Sequence, residues 1–155
     1  MENSDNFKNG HFFNPTKGNL TFDQTIEEIF AYMQEQPQKN YEIVVGCDSA
    51  SLEQPRFPVT IVARRVGEGG RFFLKQISYG RRKFYNFKQR ILQEVLISCE
   101  LALILRDALE LRKLVLPQPL KWNFSYIHAD IGEQGATREM VREVTGLIPV
   151  TALNR

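Results

Sequence analysis

From Asn86 to Arg112 the chain carries neither glycine nor proline, and its apolar residues recur at helical spacing. This is the longest helix signal in the sequence. Short apolar, β-branched runs lie on either side of it. A long helix between two strands crosses over one face of a sheet and returns the chain in the same direction, with a right-handed connection. That feature selects an α/β architecture and excludes a pure bundle or sandwich.

The remaining elements follow from local signals. Residues 1–20 read as an arm, polar at first and aromatic around Phe12 and Phe13. Thr21 and Gln24 fit a capping box, opening a helix with Phe22, Ile26, Ile29, Phe30 and Met33 on one face. Pro37 ends it. Residues 41–47 form a buried strand, and residues 58–66 and 71–79 form two more. Between these two, Gly67-Glu68-Gly69-Gly70 is a hairpin turn. After the long helix, Pro117 and Pro119 break the chain ahead of a strand at 123–129. A helix at 135–145, capped by Gly146, and a last strand at 147–153 complete the order. The expected sheet has five strands, an antiparallel meander followed by parallel strands, with flanking helices. Residues 21–155 make one domain.

Composition is consistent with this. With 43% hydrophobic and 25% charged residues, the chain is globular rather than disordered. Its apolar stretches are too short for a membrane helix, and its N-terminus lacks a secretory h-region, so a cytoplasmic protein is expected. Cys47 and Cys99 have no Cys-x-x-Cys spacing and read as small buried hydrophobes. The net charge of +2 leaves nucleic-acid affinity to a local patch.

In parallel sheets, sites gather at the carboxyl ends of strands. Asp48 directly follows the strand at 41–47, and Asp130 follows the strand at 123–129. Each alone reads as a loop-capping aspartate. Together, at matching ends of neighbouring strands, they repel unless a cation lies between them. Glu94 is the third acid. With Ile91 set to zero at 100° per residue, Val95, Ser98, Ala102, Leu105 and Leu109 lie within about 40°, and Glu94 at about −60° falls inside the apolar arc. A carboxylate there needs a cation. The alternatives to a metal are a salt bridge, as to Arg90 one turn earlier, and a snorkelling position at the rim. Glu100 and Asp107 read as solvated surface acids.

Three carboxylates suit hard divalent ions, magnesium or manganese, and such a site serves phosphodiester cleavage without a protein nucleophile. His128 stands two residues before Asp130 and reads either as a proton shuttle or partner of the site, or as a structural histidine. Ser49 reads either as a partner of the site or as a loop cap. The segment at 79–90, including Arg81, Arg82, Lys83, Tyr85 and Lys88, mixes cations with aromatics. It fits phosphate and base contacts as well as it fits a strand-to-helix connection. Arg64 and Arg65 extend that patch.

Four motifs carry a family resemblance: Phe13-Asn14-Pro15-Thr16-Lys17-Gly18, Val45-Gly46-Cys47-Asp48-Ser49, Arg71-Phe72-Phe73, and His128-Ala129-Asp130-Ile131-Gly132. In this order and spacing, from about residue 12 to about 146, the chain resembles the YkuK-like family of bacterial proteins, of the ribonuclease-H-like superfamily. The strand-and-helix order agrees with that fold. The resemblance implies Asp48 as the first-strand acid, Glu94 as the first-helix acid and Asp130 as the fourth-strand acid. It also implies a further strand and a closing helix, often with a fourth acid, whereas no acid follows Glu143 here. A shortened C-terminal part, an incomplete site and an exposed sheet edge are therefore expected.

The functional expectation is a divalent-metal-dependent nuclease. The alternative is a non-catalytic nucleic-acid-binding domain that keeps the fold. An actin-like phosphotransfer site ranks last, because the chain is too short for a two-domain cleft.

Overall fold

A computed structural model describes residues 7–47, 56–78, 87–116 and 119–129. In chain order these form strands β1 (Phe12–Asn14) and β2 (Gly18–Leu20), helix α1 (Phe22–Glu35), and strands β3 (Asn40–Cys47), β4 (Arg56–Arg65) and β5 (Gly69–Ser78). Helix α2 (Phe87–Lys113) and strand β6 (Lys121–Ala129) follow. The strands make one mixed six-stranded sheet in the order β2-β1-β5-β4-β3-β6. β3, β4 and β5 are the antiparallel meander, and β6 lies parallel to β3 on its other side. The expected helix at 135–145 and strand at 147–153 lie outside the described residues.

Alternation sets which face of the sheet is buried. In β3 the pattern runs exposed, then buried at every second residue, placing Tyr41, Ile43, Val45 and Cys47 inward. Phe57, Val59, Ile61 and Ala63 of β4 and Phe73 and Ile77 of β5 continue the same face, and Trp122 and Phe124 of β6 close it. Both helices pack there, α1 toward β5 and β2, α2 toward β3 and β6. α1 starts as its sequence dictates: Thr21 Oγ1 accepts from Gln24 N–H at 3.1 Å, and Gln24 Oε1 accepts from Thr21 N–H at 2.9 Å. Its apolar stripe, Phe22, Ile26, Ile29, Phe30 and Met33, is buried throughout.

The arm holds more structure than its composition suggests. Residues Phe12–Asn14 and Gly18–Leu20 pair antiparallel, and Phe13 pairs with Leu74 of β5, so the hairpin extends the sheet. Two features build it. The Asn14 side chain, buried at 4% exposure, accepts from the N–H groups of Thr16 and Lys17 at 3.0 and 2.9 Å and donates to the Phe72 carbonyl at 3.0 Å. Gly18 adopts φ 78°, a left-handed conformation that glycine takes without a steric penalty.

Arg65 is a second departure. It does not extend a basic patch: only 7% of it is exposed. Its Nε donates to Tyr41 Oη at 3.1 Å, its Nη2 to the Tyr32 carbonyl at 3.0 Å and to Glu35 at 3.3 Å, and its Nη1 to Glu68 at 3.3 Å. The guanidinium lies 4.3 Å from the Tyr32 ring centre. Burial disfavours its charge, but the bonds to Tyr41 and Glu35 outweigh burial and hold its pKa above the ordinary arginine value. Arg64 is solvent-facing, 3.7 Å from Glu42.

Candidate active site at the ends of β3 and β6

The register of the two parallel strands positions the candidate site. Tyr41 pairs with Trp122 and Ile43 with Phe124, then a bulge in β6 shifts the pairing, so that Val45 meets Ile127, Gly46 meets His128 and Cys47 meets Ala129. β3 and β6 thus end side by side, at Cys47 and Ala129. Asp48 and Asp130 are the next residues in the sequence. Both, with Ser49, lie outside the described residues. His128 is described as a strand residue opposite Gly46.

Glu94 is where helical periodicity puts it, on the buried side of α2. Only 3% of it is exposed, among Val95, Ile97 and Ser98, which are likewise buried. Arg90, one turn earlier, is 2% exposed and lies with its guanidinium 4.0 Å from the Phe57 ring centre. Burial lowers the Arg90 pKa, and the charges of Glu94 and Cys47 oppose that shift. Arg90 therefore interacts electrostatically with Glu94 on its own helix and with Cys47, the last residue of β3. Arg90 thus lies near both the helix acid and the end of β3. Glu94 has a cationic neighbour one turn away on its own helix.

Oxygen donors of this kind fit magnesium or manganese rather than softer metals. Among the described residues no group of three or more His, Cys, Asp or Glu side chains forms a metal cluster, and of the three acids only Glu94 belongs to them. Of the basic-aromatic segment, Arg81, Arg82, Lys83 and Tyr85 fall outside the described residues, and Lys88 lies in the first turn of α2. Both cysteines are buried and neither forms a disulfide with the other, as their apolar settings imply. Burial, with the nearby Glu100 charge, pushes the Cys99 thiol up to about 12. No described helix is long and apolar enough to cross a membrane.

Arg90 was missed as part of the site except as a pairing partner for Glu94. Its signal in the sequence was present: like Glu94, it sits one turn from an otherwise apolar stretch, and two opposite charges at i and i+4 on a buried face neutralise each other.

Comparison with known proteins agrees with the topology. The ribonuclease H-like family profile matches residues 24–154. The chain is 27% identical over 143 residues to the uncharacterized protein YkuK of Bacillus subtilis (strain 168), an alignment spanning 88% of this chain and 82% of that protein. No solved structure gives a significant match. A mixed sheet with an antiparallel meander, a long crossover helix, a parallel strand beside the first, and a family match across most of its length make this chain a member of the ribonuclease H-like family.

Proposed function

We propose that the chain is a divalent-metal-dependent nuclease acting on a phosphodiester backbone, with Asp48, Glu94 and Asp130 as its acidic residues. The observation that carries this reading is the side-by-side termination of β3 and β6 at Cys47 and Ala129, with a buried carboxylate, Glu94, on the helix that packs on both strands. Strand pairing brings neighbouring backbones to about 4.8 Å, so Cys47 and Ala129, the residues that the two acids follow in sequence, are neighbours. Glu94 adds a carboxylate already taken out of water. Bound magnesium or manganese would supply charge stabilisation at the attacking and leaving oxygens. The chain's part is to hold three oxygen donors on two strand ends and one helix, with Arg90 one turn from Glu94. Ser49 and His128 are partners of the acids in this reading. Arg81, Arg82, Lys83, Tyr85 and Lys88 contact the nucleic acid on the approach to α2.

One observation favours a second reading. Arg90 stands one turn from Glu94 and feels its charge, and a buried charge requires a partner whether or not a metal binds. A nucleic-acid-binding domain that keeps the fold and has given up cleavage would retain the same pair.

The deciding experiment measures cleavage of RNA, DNA and hybrid duplexes in magnesium or manganese by the wild-type chain, Asp48→Asn and Asp130→Asn. Cleavage abolished by either substitution is the expected result. Cleavage that survives both removes the metal-site assignment, and salt-sensitive binding without cleavage supports the second reading.

A further inference from the structure

Arg90 stands where a divalent ion held by Glu94 would meet its charge. Two separate contacts put it there. On its own helix it lies one turn before Glu94, and both residues are almost wholly buried. Across the core its guanidinium lies 4.0 Å from the centre of the Phe57 ring. Val59 of β4 pairs with Cys47, the last residue of β3, and Phe57 lies two residues away on the same buried face. The ring, with the guanidinium against it, therefore sits beyond the end of β3 on the helix-covered side of the sheet.

A cation is costly at this place. It is out of water, and it lies near the start of α2, where the helix dipole is positive. Burial lowers the Arg90 pKa, and the charges of Glu94 and Cys47 oppose that shift. A carboxylate as buried as Glu94 is costly for the same reason, so each residue of the pair favours the other's charge while no metal is bound. A divalent ion on Glu94 changes the balance. It brings two further positive charges to a carboxylate that already has a guanidinium for a neighbour. Like charges a few ångströms apart repel, and more strongly in a desolvated setting than in water.

We infer that Arg90 is an internal counter-ion of Glu94 that competes with the divalent ion, lowering metal affinity and moving away from Glu94 when the ion binds. Arg90 is a positioning residue in this scheme: it acts on the metal through Glu94 and touches no substrate. Its two effects have opposite signs. It stabilises the metal-free chain, and it raises the metal concentration at which the acidic site fills. Such competition rests on the metal site of the proposed function and does not depend on cleavage.

The test is isothermal titration calorimetry of manganese into the full chain as wild type, Arg90→Met, Arg90→Lys and Asp48→Asn. Methionine keeps an unbranched side chain against Phe57 without the charge. Arg90→Met should bind manganese about 10- to 100-fold more tightly than the wild type, since each tenfold step needs only about 1.4 kcal/mol of the repulsion that it removes. Arg90→Lys keeps the charge and should stay close to the wild type. The direction separates this role from a structural one: damage to the fold weakens metal binding, whereas loss of a competing cation strengthens it. A second measurement uses the wild type and so holds even if Arg90→Met does not fold. In nitrogen-15 NMR spectra, the Arg90 side-chain Nε–Hε signal, assigned by its loss in Arg90→Lys, should move on titration with magnesium. The signal of Arg65, at the opposite end of β4 from Phe57, should not. Equal or weaker manganese affinity in folded Arg90→Met, or an Arg90 signal that magnesium leaves in place, overturns the competition. If manganese binding is then still lost in Asp48→Asn, the proposed metal site survives that failure. No manganese binding by either the wild type or Arg90→Met overturns both. Tighter binding by Arg90→Met in a chain that cleaves no nucleic acid removes the nuclease and leaves the counter-ion standing.

Discussion

The Arg90–Glu94 pair allows the helix acid to be tested apart from any activity. Both residues are nearly fully buried, at 2% and 3% exposure, and stand one helical turn apart. Side chains at i and i+4 begin about 5.5 Å apart. From such positions the two charged tips can approach, and at an effective dielectric of about 20 unit charges about 4–6 Å apart attract by ~3–4 kcal/mol. Glu94→Ala removes this attraction and leaves the Arg90 charge in a desolvated setting, which costs about 3–5 kcal/mol when one member of a buried pair is deleted. At about 2–4 °C per kcal/mol for a chain of this size, the melting temperature should fall by roughly 6–20 °C. The double variant Arg90→Met/Glu94→Leu removes both charges and fills the space with apolar atoms. It should recover most of the loss, giving a large coupling energy in a double-mutant cycle. Urea denaturation of the wild type, Arg90→Met, Glu94→Leu and the double variant measures the coupling, and Glu94→Ala the cost of deletion, each with and without magnesium. If Glu94 also holds a metal, magnesium stabilises the wild type and not the Glu94→Ala chain. A Glu94→Ala cost below about 1 kcal/mol, the range of exposed pairs, together with additive single and double effects, would refute the buried-pair argument.

Two further outcomes follow from named contacts. Arg65→Ala should destabilise the fold by about 1–3 kcal/mol, because it strips the guanidinium donor from the Tyr41 hydroxyl and the Tyr32 carbonyl; denaturant unfolding with no measurable loss would contradict this. Cys99, its thiol raised from 9.0 to about 12 by burial and by Glu100, should resist thiol-specific labelling at pH 8 in the native chain and react on unfolding. The unfolded chain releases this proton first, so stability should fall as pH rises from about 9 toward 12, and a Cys99→Ala chain should lose less stability over that window.

Much of the molecule could be read locally. The capping box at Thr21 and Gln24, the stripe of α1, the glycine turn between β4 and β5, and Glu94's burial are all set within a few residues of chain. There, helical and strand periodicity carry the information directly. The antiparallel meander and the parallel β6 also followed, because connection length and handedness restrict how such elements return to a sheet.

Tertiary structure decided the rest. Phe12–Asn14 and Gly18–Leu20 are too short to announce themselves as strands; they form because β5 offers an edge and Asn14 bonds to Phe72, far away in sequence. Arg65 has the local pattern of a surface cation, and only Tyr41, Tyr32 and Glu35 arriving from other elements bury it. The sequence singled out Asp48 and Asp130 as two acids after two strands. The pairing of Cys47 with Ala129, shifted by a bulge in β6, is what brings those strand ends together. Periodicity within one segment records which side chains share a face. Register and the choice of covered face are properties of the assembled sheet, so no local stretch of sequence specifies them.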